Sequence, residues 1–236
     1  MSSNVITLDG PAAAGKTTLA GCLAIDLGIG VMNSGAMYRA STWVMRYAKL
    51  QKASEAEICE ALRKAQLRLD ETADGCRLYF GDKEITSELS DPDLTREIKL
   101  VADLPRVREF LGEWQHQICT TSWKVTEGRD QGTEVFPDAP VKIYLVADFD
   151  ERVRRRQRQM EAKGKQLNEE ELKALSLDMS LRDKSDRERP VGALRQAEGS
   201  FLLDNSKLNL NETKEVALNY IKQTLKSRGV VLPLGS

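Results

Sequence analysis

The sequence has few of the residues that build metal centres and disulfide frameworks. Its single histidine, His116, has no second imidazole with which to share a metal ion, and no serine or cysteine signature of nucleophilic catalysis lies near it. The four cysteines show no Cys-x-x-Cys spacing, so we expect reduced thiols that act as small apolar side chains. These absences argue against a histidine-bound metal site and against a disulfide-rich secreted domain.

Long apolar runs and a secretion leader are also missing. No window approaches the roughly 18 uninterrupted apolar residues of a membrane-spanning helix, and the N-terminal MSSNVITLDG has no basic segment ahead of an apolar one. The net charge of -1 provides no overall attraction to nucleic acid or to an anionic membrane. We therefore expect a cytoplasmic protein that binds neither, in which any anion site is formed by local clusters of arginine and lysine.

A phosphate-binding loop is indicated by residues 5–18, VITLDGPAAAGKTT. They fit the pattern G-x-x-x-x-G-K-[ST] from Gly10 to Thr17, between a buried strand and a helix start. Gly10 and Gly15 allow close backbone approach, so successive amides can surround a phosphate chain at a helix N-terminus. Lys16 would reach the β and γ phosphates, and Thr17 would place its hydroxyl on Mg²⁺. A plain glycine turn is the alternative.

The alternation of strands and helices predicts the fold class. Strands expected at residues 5–8, 124–127, 141–146 and 201–204 are separated by helices, which predicts a three-layer α/β/α core with a mostly parallel sheet. Between them, residues 67–86 contain three short strands joined by tight turns at Asp74-Gly75 and Gly81-Asp82. They predict a small antiparallel sheet inserted into the core, either as a structural flap or as a ligand-binding part.

Helix starts are predicted from residues that cap helices. We expect caps at Ser34, Ser54, Asp148, Asn168 and Asn211. Asp148 also closes an apolar strand, as the aspartate of a Walker B motif does, but capping explains it without that role.

Dispersed arginines outnumber those that one nucleoside triphosphate requires: Arg39, Arg108, Arg129, Arg182 and Arg189. Guanidinium groups suit a second phosphorylated ligand and the charge of a phosphoryl group in transfer. Two basic runs, at residues 152–158 and 181–190, could close over phosphates as a mobile helical lid. Solvated helix faces are the alternative.

Missing motifs restrict the reaction. The sequence has no N-K-x-D and no D-x-x-G motif, which argues against a GTPase. No carboxylate can be identified as a general base. A phosphate acceptor needs none, because its second pKa of about 6 leaves it mostly a dianion at pH 7. The pattern favours transfer from phosphate to phosphate.

Motifs between Val5 and Ser206 resemble those of bacterial cytidylate kinases. The matching segments are DGPAAAGKTT, NSGAMYR, LPRVREFL, EGRDQGT-VFPDAPVKIYL, DERVRRR and RDKSDRER, of which GRDQGTEVFPDA is the most specific. The resemblance implies a P-loop nucleoside monophosphate kinase that uses ATP and Mg²⁺ to convert CMP and dCMP into CDP and dCDP. It also implies one domain over residues 1–236, with the core at about 1–50, 97–150 and 195–229, a monophosphate-binding insertion at about 51–96 and a lid at about 155–190.

The resemblance further implies roles for individual residues. The catalytic groups would be Lys16, Arg39, Arg129 and Arg189. The ATP-binding residues would be Gly10, Pro11, Ala12, Ala13, Ala14, Gly15, Lys16, Thr17, Thr18, Arg155 and Arg156, with Mg²⁺ on Thr17. The CMP-binding residues would be Ser34, Arg39, Arg108, Arg129, Asp130, Arg182, Asp186 and Arg189. Arg108 and Asp130 would lie near cytosine, whose 4-amino group donates while N3 and O2 accept.

One departure from the family pattern bears on the substrate. Lys99 stands six residues before Pro105, where the family usually has a serine near the base. A kinase that prefers UMP or accepts several monophosphates is therefore one alternative, and a nucleotide-binding module that has lost transfer is another. For the kinase we expect a monomer whose partners are small nucleotides.

Overall fold

The computed structural model describes residues 4–72, 75–120 and 122–232. The strands are β1 (Val5–Asp9), β2 (Gly30–Asn33), β3 (Leu67–Thr72), β4 (Gly75–Phe80), β5 (Lys83–Glu84), β6 (Lys124–Gly128), β7 (Val141–Val146) and β8 (Phe201–Asp204). The helices are α1 (Lys16–Leu27), α2 (Ser34–Tyr47), α3 (Glu55–Lys64), α4 (Pro92–Glu97), α5 (Lys99–Ala102), α6 (Pro105–Cys119), α7 (Phe149–Glu161), α8 (Glu169–Glu188) and α9 (Leu210–Ser227). A single π-helical turn spans Gln131–Val135.

A parallel sheet with the strand order β2-β6-β1-β7-β8 forms the centre of the fold. All five residues of β1 are buried, because this strand is in the middle of the sheet and helices cover both faces. The carboxyl ends of the parallel strands share one edge, where open α/β sheets bind their ligands. The register places Asp9 beside Gly128 and Tyr144 at that edge. The predicted α/β class and parallel sheet are confirmed.

Two apolar clusters produce the three layers. On one face of the sheet, Ile6 and Leu8 of β1 pack with α1 and α9. On the other face, Val5 and Met32 pack with α2, α3 and α6. Burial of these two faces provides the main favourable contribution to folding. Among the described residues, no helix is both long and apolar enough to cross a membrane.

The predicted antiparallel insertion is also confirmed. Strands β3, β4 and β5 form a separate three-stranded sheet, with Leu67 opposite Phe80 and Phe80 opposite Lys83. Leu78 and Ile85 of this insertion are fully buried against the cluster that contains α2. The third strand ends at Glu84, two residues earlier than expected, and Asp74 of the predicted turn lies outside the described residues.

Three of the expected caps were wrong in detail. The cap of α2 is Asn33, whose side chain accepts from the Ala36 amide, and Ser34 is the first helical residue. The cap of α9 is Asn209, which forms a capping box with Glu212, so Asn211 lies inside the helix. Asp148 precedes α7 but makes no side-chain capping bond. The expected boxes at Ser54 and Asn168 are present.

Candidate active site

The predicted phosphate loop links the end of β1 to the start of α1. Gly10 has φ 155°, and a Cβ at this position would overlap the carbonyl oxygen of Leu145 on β7. Gly15 has φ 98° and precedes α1 without any side-chain cap. Because no cap occupies them, the first amides of α1 are available to an anion at the positive end of the helix dipole. The loop therefore has the geometry of a phosphate cradle.

Lys16 and Thr17 follow the loop and make contacts within the protein. The Lys16 ammonium is buried and donates to the carbonyl of Pro11 at 2.8 Å. Burial, followed by the nearby charge of Arg129, lowers the pKa of Lys16 to about 7. The Thr17 hydroxyl donates to a carboxylate oxygen of Glu127 at 2.7 Å. Both side chains are thus held at the loop, where a triphosphate would displace their protein partners.

Two buried carboxylates at this edge were missed by the sequence analysis. The Asp9 carboxylate accepts hydrogen bonds from the backbone amides of Gln131 at 2.9 Å and Gly132 at 2.7 Å. These bonds anchor the loop after β6 to the end of β1. Burial raises the pKa of Asp9 to about 7, although these two amides oppose the shift. Glu127 is the partner of Thr17. The only sequence signal for either residue is an acidic side chain at the end of a buried strand.

Four basic side chains, Lys16, Arg39, Arg129 and Arg182, form what we call the cationic cluster. Burial and then Arg129 lower the pKa of Arg182 to about 10, and Arg39 adds to the effect. The pKa of Arg39 is also lowered, first by burial, although Glu127 opposes the shift. Among the described residues, neither Arg39 nor Arg182 forms a hydrogen bond or ion pair. Like charges gathered at one place, two of them without a hydrogen-bonded carboxylate in the described part of the chain, are the electrostatic signature of an anion site.

Asp186 of α8 connects two of the predicted catalytic arginines. It accepts from Arg129 Nε at 2.8 Å and from Arg189 at 2.8 Å. Burial alone would raise the pKa of Asp186, but the adjacent Arg129 holds it below the usual range. Arg189 also lies 3.0 Å from a carboxylate oxygen of Asp103, which precedes α6. These ion pairs join the arginine-rich end of α8 to the loop after β6.

The two residues expected near cytosine are paired with each other. Arg108 and Asp130 form a buried ion pair, and Arg108 also donates to the Ala102 carbonyl at 3.1 Å. Gly192 lies directly against this pair, because a Cβ there would overlap the Arg108 guanidinium. Lys99 is exposed on α5. A base that binds to both groups must therefore replace part of their mutual contact.

The remaining predicted residues occupy different surroundings. The Ser34 hydroxyl donates to the backbone carbonyl of Glu127 at 2.8 Å, beside the loop after β6. Arg155 donates to the backbone carbonyl of Ala14 in the phosphate loop at 3.2 Å and to that of Asn205, just after β8, at 2.7 Å. Arg156 is exposed, and within the described part of the chain it donates one hydrogen bond, to Gln159.

The site fits a magnesium ion that is carried mainly by a nucleotide. Mg²⁺ commonly takes one or two protein oxygens and completes its shell with phosphates and water. The Thr17 hydroxyl and the Glu127 carboxylate, 2.7 Å apart at the loop, offer oxygens of this kind. The described residues contain no group of three or more histidine, cysteine or acidic side chains that could hold a metal by themselves.

The fold and the site define a P-loop kinase-like α/β protein, with a phosphate loop after the central strand and a cluster of arginines whose charges act on one another and on Lys16. The chain belongs to the cytidylate kinase family: the family model described as "Cytidylate kinase" matches residues 6–223.

Curated relatives agree with this membership. The chain is 39% identical to the cytidylate kinase of Rhodopirellula baltica over 223 residues, which cover 94% of each chain. It is 34% identical to the cytidylate kinase of Oceanobacillus iheyensis, covering 95% of this chain and 97% of that one. It is also 36% identical to a bifunctional pantoate ligase/cytidylate kinase of a Synechococcus strain, of whose length it spans 42%.

Proposed function

We propose that this protein transfers the γ-phosphoryl group of ATP to CMP and dCMP, producing CDP and dCDP in one in-line step. Family membership supports ATP as the donor and CMP as the acceptor. The observation that carries the proposal is the cationic cluster at the phosphate loop, in which Arg39 and Arg182 lack partners among the described residues. Two polyanions that meet end to end would supply the missing negative charge.

The chemistry needs charge and alignment more than proton transfer. At pH 7 the acceptor phosphate is already mostly a dianion, so no general base is required. The transferring phosphoryl group spreads its charge over three oxygens, which guanidinium groups can stabilise. We assign this role to Arg39, Arg129 and Arg189, with Lys16 on the β and γ phosphates. Bound Mg²⁺ would neutralise the same phosphates, held by Thr17 with Glu127 behind it.

The other predicted residues divide into those that bind ATP and those that bind CMP. We propose that the loop from Gly10 to Thr18 binds ATP, with Arg155 supporting the loop and Arg156 free to turn toward the nucleotide. Ser34, Arg182 and Asp186 would hold CMP on the opposite side. The exposed position of Arg156 supports its freedom to move.

Base selectivity would come from the Arg108–Asp130 pair. The carboxylate can accept from the cytosine 4-amino group, and the guanidinium can donate to N3 and O2. Uracil offers a carbonyl in place of the amino group, so a buried acceptor would be left unpaired. Lys99 bears on this selectivity, because a flexible cation near the base would favour the uracil carbonyl.

We also propose the larger organisation of the chain. Residues 1–236 would form one domain in which an insertion at about 51–96 holds the monophosphate and a lid at about 155–190 closes over both nucleotides. The protein would act as a cytoplasmic monomer on small nucleotides, without nucleic acid or membrane partners. The ion pairs from α8 to Arg129 and from Arg189 to Asp103 support a lid that meets both sides of the cleft.

Initial rates with ATP and each of CMP, dCMP, UMP and AMP test the proposed reaction. We expect kcat/KM to be highest for CMP and dCMP. A higher value for UMP would contradict cytosine selectivity and favour the broader kinase. If the wild type binds ATP yet forms no CDP, the protein is a nucleotide-binding module. Lys16→Ala, checked for folding by circular dichroism, is the inactive control.

A further inference from the structure

Arg152 of α7 joins three separate parts of the site, although it is not among the residues predicted to touch a nucleotide. One Nη1 atom donates to the carbonyl of Ala12 in the phosphate loop at 3.0 Å and lies 2.7 Å from a carboxylate oxygen of Asp183 in α8. The Nε atom donates to the carbonyl of Ala147, just after β7, at 3.2 Å. One buried guanidinium therefore contacts the loop, the central sheet and the arginine-rich helix.

The ion pair alone does not explain this arrangement. The Arg152 and Asp183 side chains are only 5% and 4% exposed. Removing two charges from water costs about as much as their attraction returns, so a buried pair of this kind is weak evidence for a stabilising role. The Asp183 oxygen that does not face Arg152 also lacks a hydrogen-bond partner in the part of the chain that the structure describes. A purely stabilising role would be served as well by apolar side chains.

The contact with Ala12 has a specific geometric consequence. The described peptide bonds are all trans, so a peptide carbonyl and the amide that follows it point in opposite directions. Fixing the Ala12 carbonyl toward α7 therefore turns the Ala13 amide away from α7. Arg155 acts on the Ala14 carbonyl in the same way, and this turns the Gly15 amide away from Arg155. Amides held in one fixed direction are what a phosphate chain requires.

The contact with Asp183 extends the effect to the lid. Asp183 lies on α8 between Arg182 of the cationic cluster and Asp186, which holds Arg129 and Arg189. A rotation of α8 about its axis would displace all of these groups together. Because Arg152 holds both Asp183 and Ala12, the orientation of α8 is linked to the orientation of the loop amides.

We propose that Arg152 is a positioning residue for the phosphates of ATP, which holds the Ala12–Ala13 peptide in its binding orientation and couples it to α8 through Asp183. The inference rests on the proposed function for the assignment of ATP to the loop. It adds a residue that acts on the nucleotide through the backbone and not by direct contact.

Three variants separate this role from a structural one. Arg152→Met keeps the length of the side chain but removes every donor, and it leaves Asp183 buried without its cation. Arg152→Met/Asp183→Ala removes both charges and so relieves that penalty. Asp183→Ala alone keeps Arg152 on Ala12. Arg154→Met, two residues away on α7, is the matched control, because Arg154 is 61% exposed and its one ion pair among the described residues is with Glu151.

The measurements are the dissociation constant for ATP without CMP, the thermal midpoint, and kcat and KM. We expect Arg152→Met to weaken ATP binding by about tenfold through misplaced loop amides, and to lower the thermal midpoint. The double variant should recover the midpoint but keep the tenfold ATP defect. Asp183→Ala should bind ATP within about threefold of the wild type, and Arg154→Met within about twofold.

Recovery of both properties in the double variant, or wild-type ATP binding in a folded Arg152→Met, would overturn the inference. If Arg152→Met does not fold, the ATP dissociation constant of the Arg152→Met/Asp183→Ala variant tests the inference by itself. The proposed function fails separately: a wild type that makes no CDP while binding ATP contradicts the kinase assignment, whereas the comparison of ATP dissociation constants still tests Arg152.

Discussion

At the residue scale, Lys16 and Asp9 show how burial tunes ionisation beside a phosphate site. The pKa of Asp9 is raised to about 7, so its contribution to folding stability is complete below about pH 4 and is lost as pH rises through 7. The pKa of Lys16 is lowered to about 7, so its contribution is present above about pH 10 and is lost as pH falls through 7. For these two groups together, stability is lowest near neutral pH, where the site must bind anions.

Proton uptake on ATP binding is the first prediction. A triphosphate beside Lys16 favours the ammonium form and raises its pKa. At pH 8, where the unliganded lysine is largely neutral, ATP binding should therefore take up protons. Calorimetric titrations in two buffers of different ionisation enthalpy measure the number. Lys16→Arg, which cannot lose its proton, should abolish most of the uptake, and proton release by the wild type would contradict the predicted pKa change.

Removal of the Arg129 side chain provides a second prediction. Arg129→Ala should lower kcat by about 10²- to 10³-fold, the usual loss when one preorganised donor to a transition state is removed. The fold should survive because Arg189 still pairs with Asp186. Steady-state rates and a thermal melt test both statements. Arg195→Ala, outside the proposed lid and with a side chain that is 64% exposed, is the control. An unchanged kcat in Arg129→Ala would exclude Arg129 from catalysis.

Substitution of Lys99 is a third prediction. Lys99→Ser should increase the ratio of kcat/KM for CMP to that for UMP, by about three- to tenfold if one hydrogen bond near the base is involved. The expected change is mainly in KM for the monophosphate. Lys64→Ser, an exposed lysine on α3, serves as the control. An unchanged ratio would show that Lys99 does not contribute to base selection.

At the element scale, the segment after α8 lies against the Arg108–Asp130 pair because Gly192 has no side chain. Its φ is 68°, and a Cβ there would collide with the Arg108 guanidinium. Gly192→Ala should therefore raise KM for CMP by at least about tenfold, with little change in KM for ATP. Gly199→Ala is the matched control, because Gly199 also has φ 68° but, apart from its chain neighbours, no atom of the described residues lies within 4 Å of the added Cβ. Equal effects of both variants would assign the defect to backbone strain alone.

The loop after β6 is a second element whose position depends on distant chain segments. Asp9 precedes Gln131 by 122 residues, yet it accepts the first two amides of the π-helical turn. This anchoring places Arg129 and Asp130 between α8 and α6. Loop and sheet therefore act as one unit in positioning the arginines.

At the scale of the whole molecule, the cationic cluster at the phosphate loop predicts that nucleotides stabilise the folded chain. A ligand that binds only the folded state adds about 2.7 kcal/mol to the free energy of unfolding at 100 times its Kd. We expect a non-hydrolysable ATP analogue and CMP to raise the melting temperature together by more than either alone. The triple variant Arg39→Ala/Arg129→Ala/Arg182→Ala should lose this gain, and equal stabilisation of that variant would show that the cluster does not bind the nucleotides.

Local patterns in the sequence were sufficient for much of this description. The strand–loop–helix around Gly10, four of the five strands of the parallel sheet and the antiparallel insertion all follow from hydrophobic period and turn residues. The edge strand β2 was not predicted, because its four residues are too few to show a period. Errors appeared where several nearby residues competed for one role. Asn33 and Ser34, or Asn209 and Asn211, are all chemically able to cap, and only the exact end of the preceding segment selects one.

The sequence by itself determined the phosphate loop, the fold class and the resemblance to cytidylate kinases, because each depends on residues that are close in the chain. Only the tertiary structure decided which charges meet: Arg152 with Asp183, Arg108 with Asp130, and Asp9 with the amides of Gln131 and Gly132. The physical reason is that a pKa and an ion pair depend on burial and on distances of a few ångströms. Those quantities are set by how helices and strands far apart in the sequence pack together.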